Sequence, residues 1–134
     1  MKLCLLLCSL LVSFITGCAA GVPPLTPAEA AKLVAAGSAV LVDVREPAEW
    51  AATGVAAPAV LLPKSDFDGA QQQWKEFLEK TGDQQIILYC RSGNRSGQVA
   101  KVLAAQGRNV ANAGAFKDWQ AAGLPVRQIT VEKP

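Results

Sequence analysis

The sequence contains no histidine, and that one absence removes several chemistries. A Ser-His-Asp triad or a Cys-His pair cannot be assembled from this chain. Cysteine is scarce as well, with four in 134 residues. Cys4, Cys8 and Cys18 all fall in the first stretch, which leaves Cys90 as the single thiol of the remaining chain. A lone thiol cannot close an internal disulfide. With no imidazole and one such thiol, a nitrogen/sulfur metal site cannot be built either. Charge of one sign is also missing: the formal net charge is +2. Neither a nucleic acid nor an anionic membrane surface has an electrostatic claim on such a chain. The longest apolar run, Leu3 to Ile15, is shorter than the ~20 residues that span a bilayer.

What is present begins with a leader. Met1-Lys2 is basic, Leu3 to Ile15 is apolar, and Thr16-Gly17-Cys18 closes the run with small residues. That three-part pattern is a secretory signal rather than a fold element. Ile15-Thr16-Gly17-Cys18 resembles the lipobox of bacterial lipoproteins, in which the cysteine becomes the acylated first mature residue. The resemblance implies a signal over residues 1–17, lipid on Cys18 and a tether over 18–24. A plain signal cut beside Ala19-Ala20 is the alternative. Ala19 after the cysteine implies an exported protein at the periplasmic face of the outer membrane, if the host is Gram-negative.

The rest alternates between two periods. Thr26-Pro27-Ala28-Glu29 is a capping box with proline at the first helical position, and Ala30, Leu33 and Val34 follow at helical spacing up to Gly37. Val40 to Val44 is a β-branched run that predicts a buried strand. Glu46 to Trp50 is helix-like, Gly54 breaks it, and Ala59 to Leu62 predicts another strand. Gln71 to Lys80 puts Trp74, Phe77 and Leu78 on one helical face. Ile86 to Tyr89 predicts a strand running into Cys90, and Ser96 to Gln106 a helix with Val99, Val102 and Leu103 inward. A weak strand over Asn109 to Asn112 and a short helix over Phe116 to Ala121 close the domain. Apolar strands between amphipathic helices predict an α/β fold, with a central, mostly parallel sheet flanked by helices on both faces. The domain spans 25–129, with a frayed tail over 130–134.

The candidate chemistry lies in Cys90-Arg91-Ser92-Gly93-Asn94-Arg95-Ser96, between a strand end and a helix start. Open α/β sheets bind ligands at the carboxyl ends of their strands. Amides at the start of a helix carry partial positive charge, and successive N–H groups that converge form an anion nest. Gly93 permits the turn this needs. An anion on Cys90 is then stabilised without a general base, and its pKa falls below the usual ~8.5. Arg91 and Arg95 add charge at the rim, suited to a dianionic donor. Ser92, Asn94 and Ser96 offer further donors, although Ser96 also suits a helix N-cap. Asp43 and Arg45 read as a structural ion pair at a strand end. Trp119 reads as core or rim packing, in a place where it could also line the pocket.

From about Leu25 to Arg127 the chain resembles the single-domain rhodanese family at four places in order. These are Leu41-Val42-Asp43-Val44-Arg45 with Glu49-Trp50 and Gly54, then Tyr89 to Ser96, then Asn112 to Trp119, and finally Ala122-Gly123-Leu124-Pro125-Val126. The resemblance implies a rhodanese-like fold, no cofactor, and sulfur transfer through a Cys90 persulfide. Thiosulfate or a similar small anion is the implied donor, and cyanide, a thiol or a sulfur-accepting protein the implied acceptor. Gly54-Val55-Ala56-Ala57 and Ala115 depart from the family pattern outside the Cys90 loop. Related phosphatases and arsenate reductases place five residues between cysteine and arginine; here four separate Cys90 from Arg95. A persulfide relay, a thiol redox sensor and a silent interaction domain remain the other readings.

Overall fold

The computed structural model describes residues 21–130. The leader, Cys18 and the end of the tail therefore lie outside the described residues. Among those described, no helix is long and apolar enough to cross a membrane.

Helix α1 (Pro27–Ala35) opens with the expected capping box, in which the Thr26 hydroxyl accepts from the Glu29 amide and the Glu29 carboxylate accepts from the Thr26 amide. Strand β1 (Ala39–Asp43) follows, then α2 (Pro47–Thr53), β2 (Val55–Ala56), β3 (Val60–Leu61) and α3 (Lys64–Asp68). Helix α4 (Gln72–Thr81), β4 (Gln85–Cys90), α5 (Asn94–Ala105), β5 (Val110–Ala115), α6 (Phe116–Ala121) and β6 (Val126–Arg127) complete the order. The main sheet runs β3-β1-β4-β5, parallel throughout. After β1 the chain turns toward β3, and after β4 it turns toward β5. A crevice opens where neighbouring strands send their connections opposite ways, and here it lies beyond Asp43 and Cys90.

Alternation along the strands sorts the core into two layers. Val42, Val44, Ile86, Leu88 and Cys90 face α3, α4 and α5, where Phe67, Trp74, Val99 and Leu103 close the layer. Leu41, Ile87 and Tyr89 face α1 and α6 together with Ala30, Phe116 and Trp119. The α/β class, the parallel sheet and helices on both faces are as the sequence predicts.

Four local features differ from the expectations. Val102 is 44% exposed rather than inward. Ser96, Val99, Ala100 and Leu103 define the buried stripe of α5, and at 100° per residue Val102 falls outside it. Helix α3 was not signalled, because five residues after Pro63 carry too little periodicity. It supplies the cap of the next helix, since the Asp66 carboxylate accepts from the amides of Gln72, Gln73 and Trp74. Strands β2 and β6 form a separate antiparallel pair, too short to show as strands in the sequence. Finally, Val22 to Pro24, expected within the tether, lies against the sheet. Leu25 N–H donates to the Asn112 carbonyl at 2.9 Å, Asn112 N–H donates to the Pro23 carbonyl at 3.0 Å, and Val22 packs on the core. Two prolines do not prevent this, because the arm needs only Pro23 as an acceptor.

Candidate active site

The Cys90 loop is built by a strand that ends and a helix that starts early. Strand β4 carries Cys90 to its last position. Helix α5 begins at Asn94 rather than Ser96, with Gly93 as its N-cap in a left-handed conformation, φ 88°. A Cβ at Gly93 would meet the Gly114 Cα at 3.2 Å, so both the dihedral and the space favour glycine. Ser96 therefore stands one turn inside the helix instead of capping it, and its buried side chain points at the sulfur.

The surroundings of the sulfur are donors. Gly93 N–H points at Cys90 Sγ over 3.1 Å, and the Ser96 hydroxyl lies 3.4 Å away. Burial pushes the Cys90 thiol up, but the Ser96 hydroxyl and the amides of Ser96, Ser92 and Gly93 outweigh it, and the pKa is lowered. These are three backbone dipoles and one hydroxyl, and none acts as a base. The arrangement holds a thiolate without an adjacent base.

The two arginines of the loop have separate fates. Arg91 is exposed and has no ion-pair partner among the described residues. Arg95, expected beside it at the rim, turns to α2. Its two terminal nitrogens each donate to Glu49 at 2.7 Å. The Glu49 carboxylate also accepts from Glu46 N–H at 3.0 Å. Hydrogen bonds from Arg95 are the main reason that the Glu49 pKa falls to about 2. Glu49 entered the sequence reading only as part of a motif, since nothing in its spacing shows what it meets.

Beside the loop lies a cleft of about 910 Å³, bordered by Arg91 and Ser92, by Glu49 and Thr53 of α2, and by Phe116 and Lys117 of α6. Cys90 is 0% exposed and is not itself among the residues that line the cleft. Ser92 and Asn94 are exposed at the loop. Asn94 Oδ1 accepts from Gln98 rather than from anything near the sulfur.

Asp43 and Arg45 form the expected ion pair, with Arg45 Nη2 2.7 Å from Asp43 Oδ2. Arg45 also donates to the Thr53 hydroxyl and the Gly54 carbonyl, and its guanidinium lies 4.3 Å from the centroid of the Phe116 ring. It thereby joins β1, the end of α2 and α6 at one side of the cleft. Trp119 does not line that cleft. It is buried, donates to the Pro125 carbonyl at 2.9 Å, and borders a separate apolar hollow with Val34 and Pro58.

The family description "Rhodanese-like domain" covers residues 26–122. The chain belongs to the rhodanese-like family. Among relatives, it is 30% identical to the human thiosulfate:glutathione sulfurtransferase over 110 residues, covering 75% of this chain and 95% of that one. It is 35% identical to the thiosulfate sulfurtransferase GlpE of Actinobacillus succinogenes over 112 residues, covering 82% and 95%. Among solved structures, a Rhodopseudomonas palustris protein described as a possible tyrosine phosphatase superposes with a TM-score of 0.66 at 27% identity, covering 79% of this chain and 85% of that one. The segments Leu41 to Gly54, Tyr89 to Ser96 and Asn112 to Trp119 each supply residues to the Cys90 loop or to the cleft.

Proposed function

We propose that this rhodanese domain is a sulfurtransferase that carries sulfur on Cys90. The observation that carries the reading is the set of donors around Cys90 Sγ, which favours an anion on sulfur and supplies no base. The Cys90 thiolate attacks the outer sulfur of thiosulfate. A new S–S bond forms, the donor's S–S bond breaks, and sulfite leaves with the electron pair. The same amides hold the resulting persulfide. A thiol or cyanide then attacks its outer sulfur, and the Cys90 thiolate leaves. Because Cys90 has no exposed surface, the donor reaches it when the Arg91-Ser92 segment moves outward. Exposed Arg91 is the cation that meets the donor.

Oxyanion chemistry of the phosphatase kind is disfavoured by the same geometry. It calls for a guanidinium free to grip a tetrahedral anion, whereas that of Arg95 is engaged at both ends by Glu49. The family relatives named for sulfur transfer point the same way.

Incubation of the full chain with thiosulfate and cyanide, with thiocyanate as the readout, tests the reading. Turnover is expected in the wild type and absent in Cys90→Ser. A silent wild type that nevertheless holds an extra sulfur by intact mass would make the protein a relay, and silence without it would defeat the proposal.

We further infer, from the lipobox-like Ile15-Thr16-Gly17-Cys18, that the protein is exported and anchored by lipid on Cys18. Labelling of expressing cells with a palmitate analogue is expected to mark the wild type and to be lost in Cys18→Ala; equal labelling of both would overturn the inference.

A further inference from the structure

Asn112 stands where three segments meet. Its main chain is gripped by the N-terminal arm on one side, through Pro23 and Leu25, and pairs with Leu88 of β4 on the other. Directly after it the register slips. Leu88 faces Asn112 but Tyr89 faces Gly114, so Ala113 is an extra residue in β5. A bulge of this kind re-aims the groups that follow it. Here it turns Gly114 N–H back onto Asn112 Oδ1 at 3.0 Å.

Every polar atom of the Asn112 side chain is in use. Nδ2 donates to the Gly93 carbonyl at 3.0 Å. Oδ1 accepts from Gly114 N–H and from the Ser96 hydroxyl, the latter at 2.9 Å. The partners fix which end of the carboxamide is which, since a carbonyl needs the NH2 group and two donors need the oxygen. Gly93 and Ser96 are also the residues that hold the Cys90 sulfur.

We propose that Asn112 is a positioning residue for Cys90, anchoring the Gly93 carbonyl and the Ser96 hydroxyl and so setting how strongly the loop stabilises a thiolate. The proposal rests on Cys90 being the reactive thiol. The Ser96 hydroxyl has one proton and two acceptors within reach, Asn112 Oδ1 at 2.9 Å and Cys90 Sγ at 3.4 Å. While the sulfur is neutral, the shorter contact to Asn112 holds the proton. When the sulfur ionises, the proton turns to it, and Asn112 Oδ1 keeps the Gly114 amide, so no polar atom is stranded. The Nδ2 bond meanwhile keeps the Gly93 peptide from rotating, and with it the turn that aims the Gly93 amide.

The charged groups on the segments around the loop are Arg91 and Arg95 from the loop and its helix, Glu46 and Glu49 from the cap and body of α2, Asp43 and Arg45 at the end of β1, and Lys117 and Asp118 from α6. A change at Asn112 leaves all of them in place. The test is the pH dependence of Cys90 alkylation by iodoacetamide in the full chain, read by mass spectrometry on the peptide containing Cys90. Asn112→Ala frees the Ser96 proton from its competing acceptor but also loosens the turn that aims the Gly93 amide; the second effect is the larger, and the midpoint is expected to rise by about one pH unit, a tenfold loss of thiolate below it. Asn112→Asp, nearly isosteric, is expected to raise it further, because the Gly93 carbonyl keeps only the Gly97 amide as donor and a negative charge is added. Circular dichroism identifies which variants are folded. A folded variant with an unchanged midpoint would overturn the proposal, and so would loss of folding in both, which would make Asn112 a scaffold residue only. A wild type with a lowered midpoint that makes no thiocyanate and holds no extra sulfur would sink the sulfur-transfer reading and leave this one standing.

Discussion

The carboxyl ends of β1 and β4 lie side by side, and each ends in a buried group held in a different way. At the end of β1, Asp43 meets Arg45 as charge meets charge, with three contacts of 2.7 to 3.1 Å between the side chains. At the end of β4, Cys90 meets only dipoles, two of them at 3.1 and 3.4 Å. A matched ion pair locks geometry, because moving either partner strands a charge away from water. Dipoles lower the energy of an anion yet leave its electron pair available. The first arrangement suits a frame and the second a nucleophile, although one residue position in the sheet separates Asp43, which pairs with Tyr89, from Cys90.

The comparison can be broken from either side. The largest effect on stability is expected at Asp43. Asp43→Asn keeps the shape but leaves Arg45 buried without its counter-charge, a loss of about 3–5 kcal/mol. Urea unfolding checks this, and an unchanged midpoint would mean that the pair is not a lock. Cys90→Ser is expected to shift the same unfolding curve by only about 1 kcal/mol while thiocyanate formation disappears. A large stability loss there would place the sulfur in the frame after all. A smaller effect than at Asp43 is expected at Glu49, half way between the two cases and partly exposed. Its pKa in the folded chain, about 2, lies below the ordinary 4.5, so its ion pair with Arg95 adds stability above pH 4.5. That contribution fades as the pH falls from 4.5 toward 2, by an amount of order 1 kcal/mol after solvent screening. Glu49→Gln should flatten this part of the stability profile; a variant with the wild-type slope would show that Glu49 is not its source.

Much of this was legible in the residues. The parallel sheet followed from apolar runs at Val40 to Val44 and Ile86 to Tyr89, and the donor loop from a cysteine running into glycine and a helix. The partners of the loop were not legible, because they come from elsewhere in the chain. Nothing near Arg95 in sequence announces Glu49, and Asn112 acts on Gly93 and Ser96 across a strand register that slips by one residue. Val102 shows the same limit at smaller scale, since an apolar residue at helical spacing can still fall outside the stripe that the sheet selects.

The arm over Val22 to Leu25 also bears on how the sheet ends. An open parallel sheet has two rims, and each is a template on which another chain can add a strand. One rim here is β3, only two residues long. The other is β5, and at Asn112 the arm has already taken both its amide and its carbonyl. Pro23 and Pro24 have no N–H to present outward, so the arm cannot recruit a further strand in its turn. The chain thus blocks its longer rim at Asn112 with a segment that is itself a poor template, at the residue that braces the Cys90 loop.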